Sequence, residues 1–233
     1  QDQLYVGSYL LLSFLSFMPG VFLFFFKNVE NVQEDSLIEG NIRNLKSIVL
    51  QPRFLQAITA AAFAYAVMSF LMTATPLSMH VMENMSLKET GLVLQFHVVA
   101  MFLPSLITGN LIKKYGHSAI IYGGVLFFFI TVLISLFEQT YLNYMLSLIF
   151  LGLGWNFLFI SGTSLVVLTY NKEEKFKVQG INDLIVFSTM ALASLSAGIL
   201  LNSIGWKMMN FICIPFLILI ILVSFVADKK SAS

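Results

Sequence analysis

The sequence predicts an all-α integral membrane protein with seven transmembrane helices, the last six of which form two inverted triplets. Three observations predict it: an apolar composition, seven long apolar segments, and glycines that recur at a fixed offset. Of the 233 residues, 58% are hydrophobic and 11% are charged, whereas soluble domains carry roughly 45–50% apolar and about 25% charged residues. The chain has too few charged side chains to cover a water-exposed surface, so we expect it to lie in a bilayer.

Seven segments are long and apolar enough to cross a bilayer, which takes about 20 residues per helix. Polar breaks separate them, and their interiors contain the Gly and Pro residues that membrane helices tolerate. The ~10-residue alternation of transmembrane strands is absent from the sequence. The predicted spans are residues 4–26, 54–79, 91–112, 119–137, 144–168, 181–201 and 209–227.

The first span is not a signal peptide by sequence, because no charged segment precedes it and no cleavage site follows. The chain begins at Gln1 without an initiator Met, so we expect it to start partway along a longer protein. After this span, residues 28–53 form the longest polar linker. Apolar residues at near-helical spacing between Leu37 and Leu50 favour either an amphipathic helix on the inner membrane surface or an ordinary tether.

The positions of Lys and Arg predict the orientation, because positively charged loops stay in the cytoplasm. Alternate loops on one side hold eleven of the 13 Lys and Arg residues, and the other side holds Lys88 and Lys207. This bias predicts a multi-pass protein of the cell membrane. Its amino end lies outside, and its carboxyl end, the tail 228–233, lies in the cytoplasm.

Five residues recur at a single offset of 89 residues, and in both copies the first glycine opens a span. The repeating units are 54–137 and 144–227, each with three spans. An odd number of crossings makes the second unit run opposite to the first. The recurring residues are Gly91, Ser105, Leu106, Gly109 and Gly116, matched by Gly180, Ser194, Leu195, Gly198 and Gly205.

The segment Gly109–Gly116 resembles the loop signature of the major facilitator superfamily, in which Gly-x-Leu is followed by basic residues and Gly. The resemblance covers the whole chain. It implies a major-facilitator-type three-plus-three inverted-repeat bundle at residues 54–227, working by alternating access. Residues 1–27 are then the last helix of a missing amino-terminal half, and residues 28–53 are the cytoplasmic inter-half loop.

Narrower stretches resemble a bacterial subgroup of this family that includes riboflavin importers. They are residues 73–80, 95–109, 152–159 and 179–187. This resemblance implies uptake of a riboflavin-like solute, with drug or metabolite efflux by the same fold as the alternative. The expected partners are the small-molecule substrate, the lipid bilayer and the missing half, with no cofactor. The net charge of +1 gives no indication of nucleic acid.

Ionisable and polar groups inside a membrane are costly, so each is a candidate functional residue. His97 lies six residues into its span, where it either binds substrate, titrates near neutral pH or bonds a neighbouring helix. Trp155 and Asn156 lie near mid-span. They suit a stacking surface and an orienting group for a planar ligand, or a helix–helix bridge.

Tyr65 and Thr73 share one helical face, which either lines a cavity or satisfies carbonyls freed near Pro76. Together with the three residues above, they complete the predicted substrate-binding set. That set is Tyr65, Thr73, His97, Trp155 and Asn156.

A predicted cytoplasmic gate combines the loop signature with Asp183, which is the only carboxylate inside a predicted span. Asp183 either caps a helix start or forms a gating salt bridge with Lys113 or Lys114. The predicted gating residues are Gly109, Lys113, Lys114, Gly116 and Asp183.

Other membrane classes fit the sequence less well. A retinal protein needs a lysine in its last span, and residues 209–227 contain none. A seven-helix receptor, kept as the alternative from another class, would be expected to show its family's pattern at the inner end of the third helix. Residues 110–112 lack that pattern.

The sequence does not predict an enzyme or a metal site. The histidines His80, His97 and His117 are spread over different depths without metal-ligand spacing. The single cysteine, Cys213, excludes an internal disulfide framework.

Overall fold

The computed structural model describes residues 6–25 and 43–232, which are helical with short connections and contain no strand. The chain divides into two compact units, Gln1–Asn41 and Ile42–Ser233. Helix α1 (Val6–Phe25) belongs to the first unit and confirms a helix at the first predicted span. Most of the predicted loop, residues 28–42, lies outside the described residues.

Within residues 43–232, the second unit contains seven α-helices, a π-helical turn and a 3₁₀ turn. In chain order they are α2 (Leu45–Val49), α3 (Pro52–Pro76) continued by the π-helical turn Leu77–Met82, α4 (Leu87–Phe102), α5 (Ser105–Tyr115), α6 (His117–Ser135), α7 (Tyr141–Val167), the 3₁₀ turn Lys172–Glu174 and α8 (Lys175–Ala232).

Local sequence sets where these helices begin and break. Pro52 occupies the first turn of α3, where a backbone N–H would have no acceptor within the helix, so its missing N–H costs nothing. A capping box opens α4, in which the Ser86 hydroxyl accepts from the Glu89 amide and the Glu89 carboxylate accepts from the Ser86 amide. Pro104 interrupts the next span between α4 and α5, because proline cannot donate a backbone hydrogen bond.

Two glycines with positive φ turn the chain where side-chain-bearing residues would be strained. Gly116 (φ 84°, ψ 161°) separates α5 from α6, and Gly205 (φ 75°, ψ 170°) breaks α8 into segments 175–204 and 206–232. The sequence predicted a loop at 202–208, whereas the structure is helical on both sides of Gly205. The polar residues there are therefore compatible with helix.

Six helices in the described part of the chain are long and apolar enough to cross a membrane. They are α1, α3 with its π-helical turn, α4 together with α5, α6, α7 and the segment containing α8. Gly205 divides α8 into segments 175–204 and 206–232, which are roughly 45 and 40 Å long at about 1.5 Å per residue. Each segment is longer than the ~30 Å thickness of a hydrocarbon core. The all-helical membrane architecture is thus confirmed, and the count of seven spans stays a prediction.

Helix α7 makes close contacts with its neighbours through glycine. A Cβ atom at Gly152 would lie 2.7 Å from the His97 carbonyl oxygen on α4. A Cβ atom at Gly162 would lie 2.7 Å from the Ala57 carbonyl oxygen on α3. Only glycine permits such backbone approach, which is how helices gain packing energy inside a bilayer.

The short helix α2 is docked on the bundle. Ile48 is 1% exposed and belongs to the main hydrophobic core. Arg43 donates from Nε and Nη2 to the Glu174 carboxylate at 3.0 and 2.6 Å. In its described part, the predicted amphipathic segment therefore packs its apolar side chain against protein rather than on the membrane surface.

Candidate functional site

Five aromatic rings from four helices meet in one cluster, which we call the aromatic platform. Trp155 and Phe159 of α7 stack with centroids 4.9 Å apart and planes 12° from parallel. Tyr65 of α3 meets both edge-on, at 5.3 and 5.0 Å. Phe102 of α4 lies 5.8 Å from Trp155, and Phe187 of α8 lies 6.1 Å from Tyr65. These offset and edge-on geometries are the favourable ones for aromatic pairs.

The platform has a buried base and an open edge. Trp155 is 4% exposed, whereas Phe102 and Phe187 are 58% and 50% exposed. The indole Nε1 of Trp155 is buried without a hydrogen-bond partner. A buried donor left unpaired costs about 1–3 kcal/mol. The Trp155 N–H is therefore a donor that is available to a ligand.

His97 is fully buried, and one of its two ring nitrogens has no hydrogen-bond partner. Its Nδ1 lies 2.7 Å from the Leu148 carbonyl oxygen on α7. Because a carbonyl only accepts, Nδ1 carries the hydrogen, and Nε2 of the neutral ring is an acceptor. Nε2 is buried without a partner. His97 therefore makes the predicted bond to a neighbouring helix and still presents one free acceptor.

Asn156 bonds both sides of the α4–α5 break. Its Nδ2 donates to the Met101 carbonyl at 2.6 Å and to the Ser105 hydroxyl at 2.7 Å. Its Oδ1 accepts from the Thr108 hydroxyl at 2.6 Å. Both amide hydrogens are used, so the geometry favours the helix-bridging alternative for Asn156. Sequence reasoning left the two roles open because the partners belong to other helices.

Thr73 lies two turns along α3 from Tyr65 and is exposed. Its hydroxyl oxygen is 3.0 Å from that of Ser194 on α8, in a hydrogen bond. Thr73 therefore links α3 to α8 on the face that carries Tyr65. The predicted residues of α3 and α7 do converge, with Tyr65 and Trp155 in direct ring contact.

The predicted gating salt bridge is not formed in this structure. Among the described residues, the ion pairs within 4.0 Å join Arg43 to Glu174 and Arg53 to Asp228. Asp183 is exposed and accepts from the Asn182 side chain at 3.0 Å. It also caps no helix start, because α8 begins eight residues earlier, at Lys175.

Lys113 and Lys114 lie in the last turn of α5, where positive charge suits the helix dipole. The Lys114 ammonium lies 4.9 Å from the centroid of the Tyr115 ring. Gly109 has open space around it, and Gly116 supplies the positive-φ turn that follows.

Sequence reasoning missed a polar cluster at the helix ends, which we call the terminal cluster. Arg53 at the start of α3 donates to Asp228 near the end of α8 at 2.8 Å. Ser118 of α6 donates to the same carboxylate oxygen at 2.6 Å, and Tyr122 to the other at 3.1 Å. Gln56 donates to the Ser118 hydroxyl at 2.9 Å. The available signal was one basic and one acidic residue at the edges of two spans on the same side.

No group of three or more His, Cys, Asp or Glu side chains in residues 6–25 and 43–232 could hold a metal ion. The potential ligand-binding groups are instead aromatic rings and the two unpaired ring nitrogens of His97 and Trp155.

Comparison with known proteins identifies relatives along most of the chain. A profile of the Major Facilitator Superfamily matches residues 5–182 and 57–233. The chain is 36% identical over 220 residues to "Riboflavin transporter RfnT" of Brucella anthropi, covering 94% of this chain and 55% of that protein.

Two further relatives come from Bacillus subtilis. The uncharacterized MFS-type transporter YdeG is 26% identical over 217 residues, covering 88% of this chain and 50% of its own length. The uncharacterized MFS-type transporter YddS is 28% identical over 201 residues, covering 82% and 45%. The chain therefore spans about half the length of the curated relatives it matches.

Proposed function

The chain belongs to the major facilitator superfamily, and we propose that it is the carboxyl-terminal part of a secondary transporter for a planar, riboflavin-like solute. The observation that carries the substrate class is the aromatic platform, whose rings present an open edge above a buried tryptophan. The likeness to a protein named as a riboflavin transporter supports the same class.

In this proposal, α3 to α8 provide six crossings in two inverted triplets, with the two segments of α8 counted separately. Gly116 and Gly205, 89 residues apart, share one backbone conformation, which supports the repeat. The packing supports it too, because α7 contacts α4 and α6 while α3 contacts α8. The first helix of each triplet, α3 or α7, thus packs against the second and third helices of the other triplet.

Helix α1 then belongs to the preceding half as its last crossing, which makes seven spans with the amino end outside. The partner of the bundle is that missing half, and the solute binds between the halves near the middle of the bilayer. Residues 28–53 connect the halves on the cytoplasmic side, where Gly109, Lys113, Lys114 and Gly116 form the gate loop and Asp183 is the further gating residue.

The platform accounts for recognition of a flat ring. A planar solute stacks on the open rings of Phe102 and Phe187, and each aromatic contact contributes about 0.5–1.5 kcal/mol. When helix movement exposes them, the unpaired His97 Nε2 accepts a hydrogen bond from a solute N–H or O–H, and the unpaired Trp155 Nε1 donates to a solute carbonyl. Tyr65 and Thr73 line the adjoining face of α3.

The test is uptake of labelled riboflavin by the full-length protein in proteoliposomes, with competitors that separate the two parts of the molecule. We expect the tricyclic ring without its sugar-alcohol chain to compete, and ribitol to compete poorly. Trp155→Phe should retain more uptake than Trp155→Leu, because it keeps a stacking ring. Strong competition by ribitol alone would show that the platform is not part of the binding site. Loading from either side of the membrane distinguishes import from efflux.

A further inference from the structure

A cavity of about 550 Å³ lies between α3 and the two segments of α8, behind the platform. Its volume is within the 300–1,000 Å³ range of ligand sites. Its walls are mostly aromatic and aliphatic and include Phe63 and Phe70 of α3 and Leu192, Leu200, Ile212 and Phe216 of α8.

The cavity lies on the opposite side of the two helices from the platform. Residues two apart on a helix point about 200° apart. Phe63 therefore points away from Tyr65 on α3, and Thr189 points away from Phe187 on α8. On the proposed function, which this inference uses for placing the helices in a bilayer, the platform faces the solute path and the cavity faces lipid.

The mouth of the cavity is apolar as well. Leu192, Ile212 and Phe216 are all exposed while lining it. They come from the two segments of α8, so the opening lies between those segments. Hydrocarbon rather than water is the medium that meets these side chains at this depth.

The polar hydrogens in the wall are already used in hydrogen bonds. Thr189 donates to the carbonyls of Ile185 and Val186 at 2.9 Å. Ser196 donates to Ala193 at 2.9 Å, and the Cys213 thiol donates to Met209 at 3.5 Å. None of these groups has a hydrogen left to donate to a ligand, and the rest of the lining is apolar, so the cavity favours an apolar occupant.

The cavity is too small for a helix. A helix with its side chains is about 10 Å across and takes roughly 400 Å³ per turn, so 550 Å³ holds little more than one turn. A hydrocarbon chain is thinner and flexible enough to enter between the segments of α8. Inside a membrane it gains dispersion contacts that an empty cavity forfeits.

We propose that this cavity binds one acyl chain of a membrane phospholipid, behind the α3–α8 face that carries Tyr65, Thr73 and Phe187. Occupancy fills the cavity between α3 and α8 and so supports the helices that carry two of the five platform rings. The site is independent of which solute the protein moves.

The probe is phosphatidylcholine with a diazirine in one acyl chain, incorporated with the full-length protein in liposomes, irradiated, and mapped by mass spectrometry. We expect peptides 63–70 and 189–200 to be labelled severalfold more than the exposed apolar face of α6, which includes Leu126 and Leu133. Labelling equal to that of α6 would overturn the proposal.

Two filling variants, Ala66→Phe and Ala193→Phe, each place a ring in the cavity. Each should lower cavity labelling severalfold without changing α6, whereas Leu219→Phe, exposed on α8 outside the cavity, should change neither. If a variant fails to fold, the wild-type enrichment still decides. Cross-links from these peptides to the upstream half or to a second copy would overturn the proposal by showing a helix over the cavity.

Riboflavin uptake is measured on the same preparations. Enriched labelling without uptake would count against the proposed substrate while supporting the lipid site. Uptake with unenriched labelling would overturn the lipid site alone.

Discussion

The two central helices of the bundle, α3 and α7, are packed in different ways. Helix α7 meets α4 and α3 at glycines, where one added methyl group would lie 2.7 Å from a neighbouring carbonyl oxygen. Helix α3 instead leaves a cavity of about 550 Å³ on its side toward α8. Since lipid gives no hydrophobic force between helices, the difference is one of shape complementarity. The α7 side is close-packed, and the α3–α8 side has room to adjust.

The aromatic platform spans both regions. Trp155 and Phe159 belong to the close-packed α7, and Phe187 belongs to α8 on the looser side. On the proposed function, a bound ring therefore rests on a close-packed base and touches an adjustable edge on α8.

The largest expected effect is on the close-packed side. Gly152→Ala and Gly162→Ala should each destabilise the protein by about 1–3 kcal/mol, because the added Cβ forces α7 away from α4 or α3. The measurement is thermal unfolding of the full-length protein in detergent. The control is Gly198→Ala on α8, where the nearest atom to the new Cβ is 3.7 Å away. Equal losses of stability at all three positions would show that the α7 side is not packed more closely than the α3–α8 side.

At the adjustable edge, Phe187→Ala should weaken solute affinity by about 0.5–1.5 kcal/mol, roughly two- to tenfold, because one exposed ring contact is lost. Stability should hardly change, since the ring is half exposed. The concentration dependence of riboflavin uptake measures the effect. Leu184→Ala removes an exposed side chain from the same helix outside the platform and should leave affinity unchanged.

A smaller effect is expected at the terminal cluster, which ties α3 to α8 beyond the cavity. Arg53 and Asp228 are 37% and 32% exposed, so screening limits the value of their ion pair. Asp228→Asn should lower stability by at most about 1 kcal/mol, and added salt should reduce the difference from wild type. A loss that high salt leaves intact would indicate that hydrogen bonds rather than charge hold this end together.

The most local effect concerns the docking of α2. Glu174 lies in the connection between α7 and α8, and its bonds to Arg43 lower its pKa to about 2. Because the pKa is lowered, the ionised carboxylate stabilises the fold fully at pH values above its ordinary pKa near 4.5. This contribution is lost as the pH falls toward 2. Glu174→Gln should flatten the stability profile between these pH values. Hydrogen exchange at residues 45–49 checks it, and an unchanged acid profile would contradict it.

The apolar segments identified the helices but located their ends poorly. Apolarity predicts where hydrocarbon begins, whereas a helix continues into polar residues. Helix α8 therefore starts at Lys175 rather than at 181. For the same reason Asp183, placed near a helix start by its sequence, lies two turns inside α8 and far from any capping role.

The candidate site was only partly readable from the sequence. Tyr65 and Trp155 were predicted because they accompany polar residues at helical spacing. Phe102, Phe159 and Phe187 were not, because nothing local distinguishes them among 23 phenylalanines. The role of Asn156 depends on a backbone carbonyl of α4, which only the assembled helices bring within reach.

The side-chain amide of Asn156 bonds both α4 and α5 across the break between them. The preceding residue, Trp155, forms the base of the platform. Any bend at Pro104 that separates Met101 from Thr108 must break or drag this amide. On the proposed function, a solute that displaces the indole would therefore also displace α5, because the neighbouring amide on α7 is bonded to it.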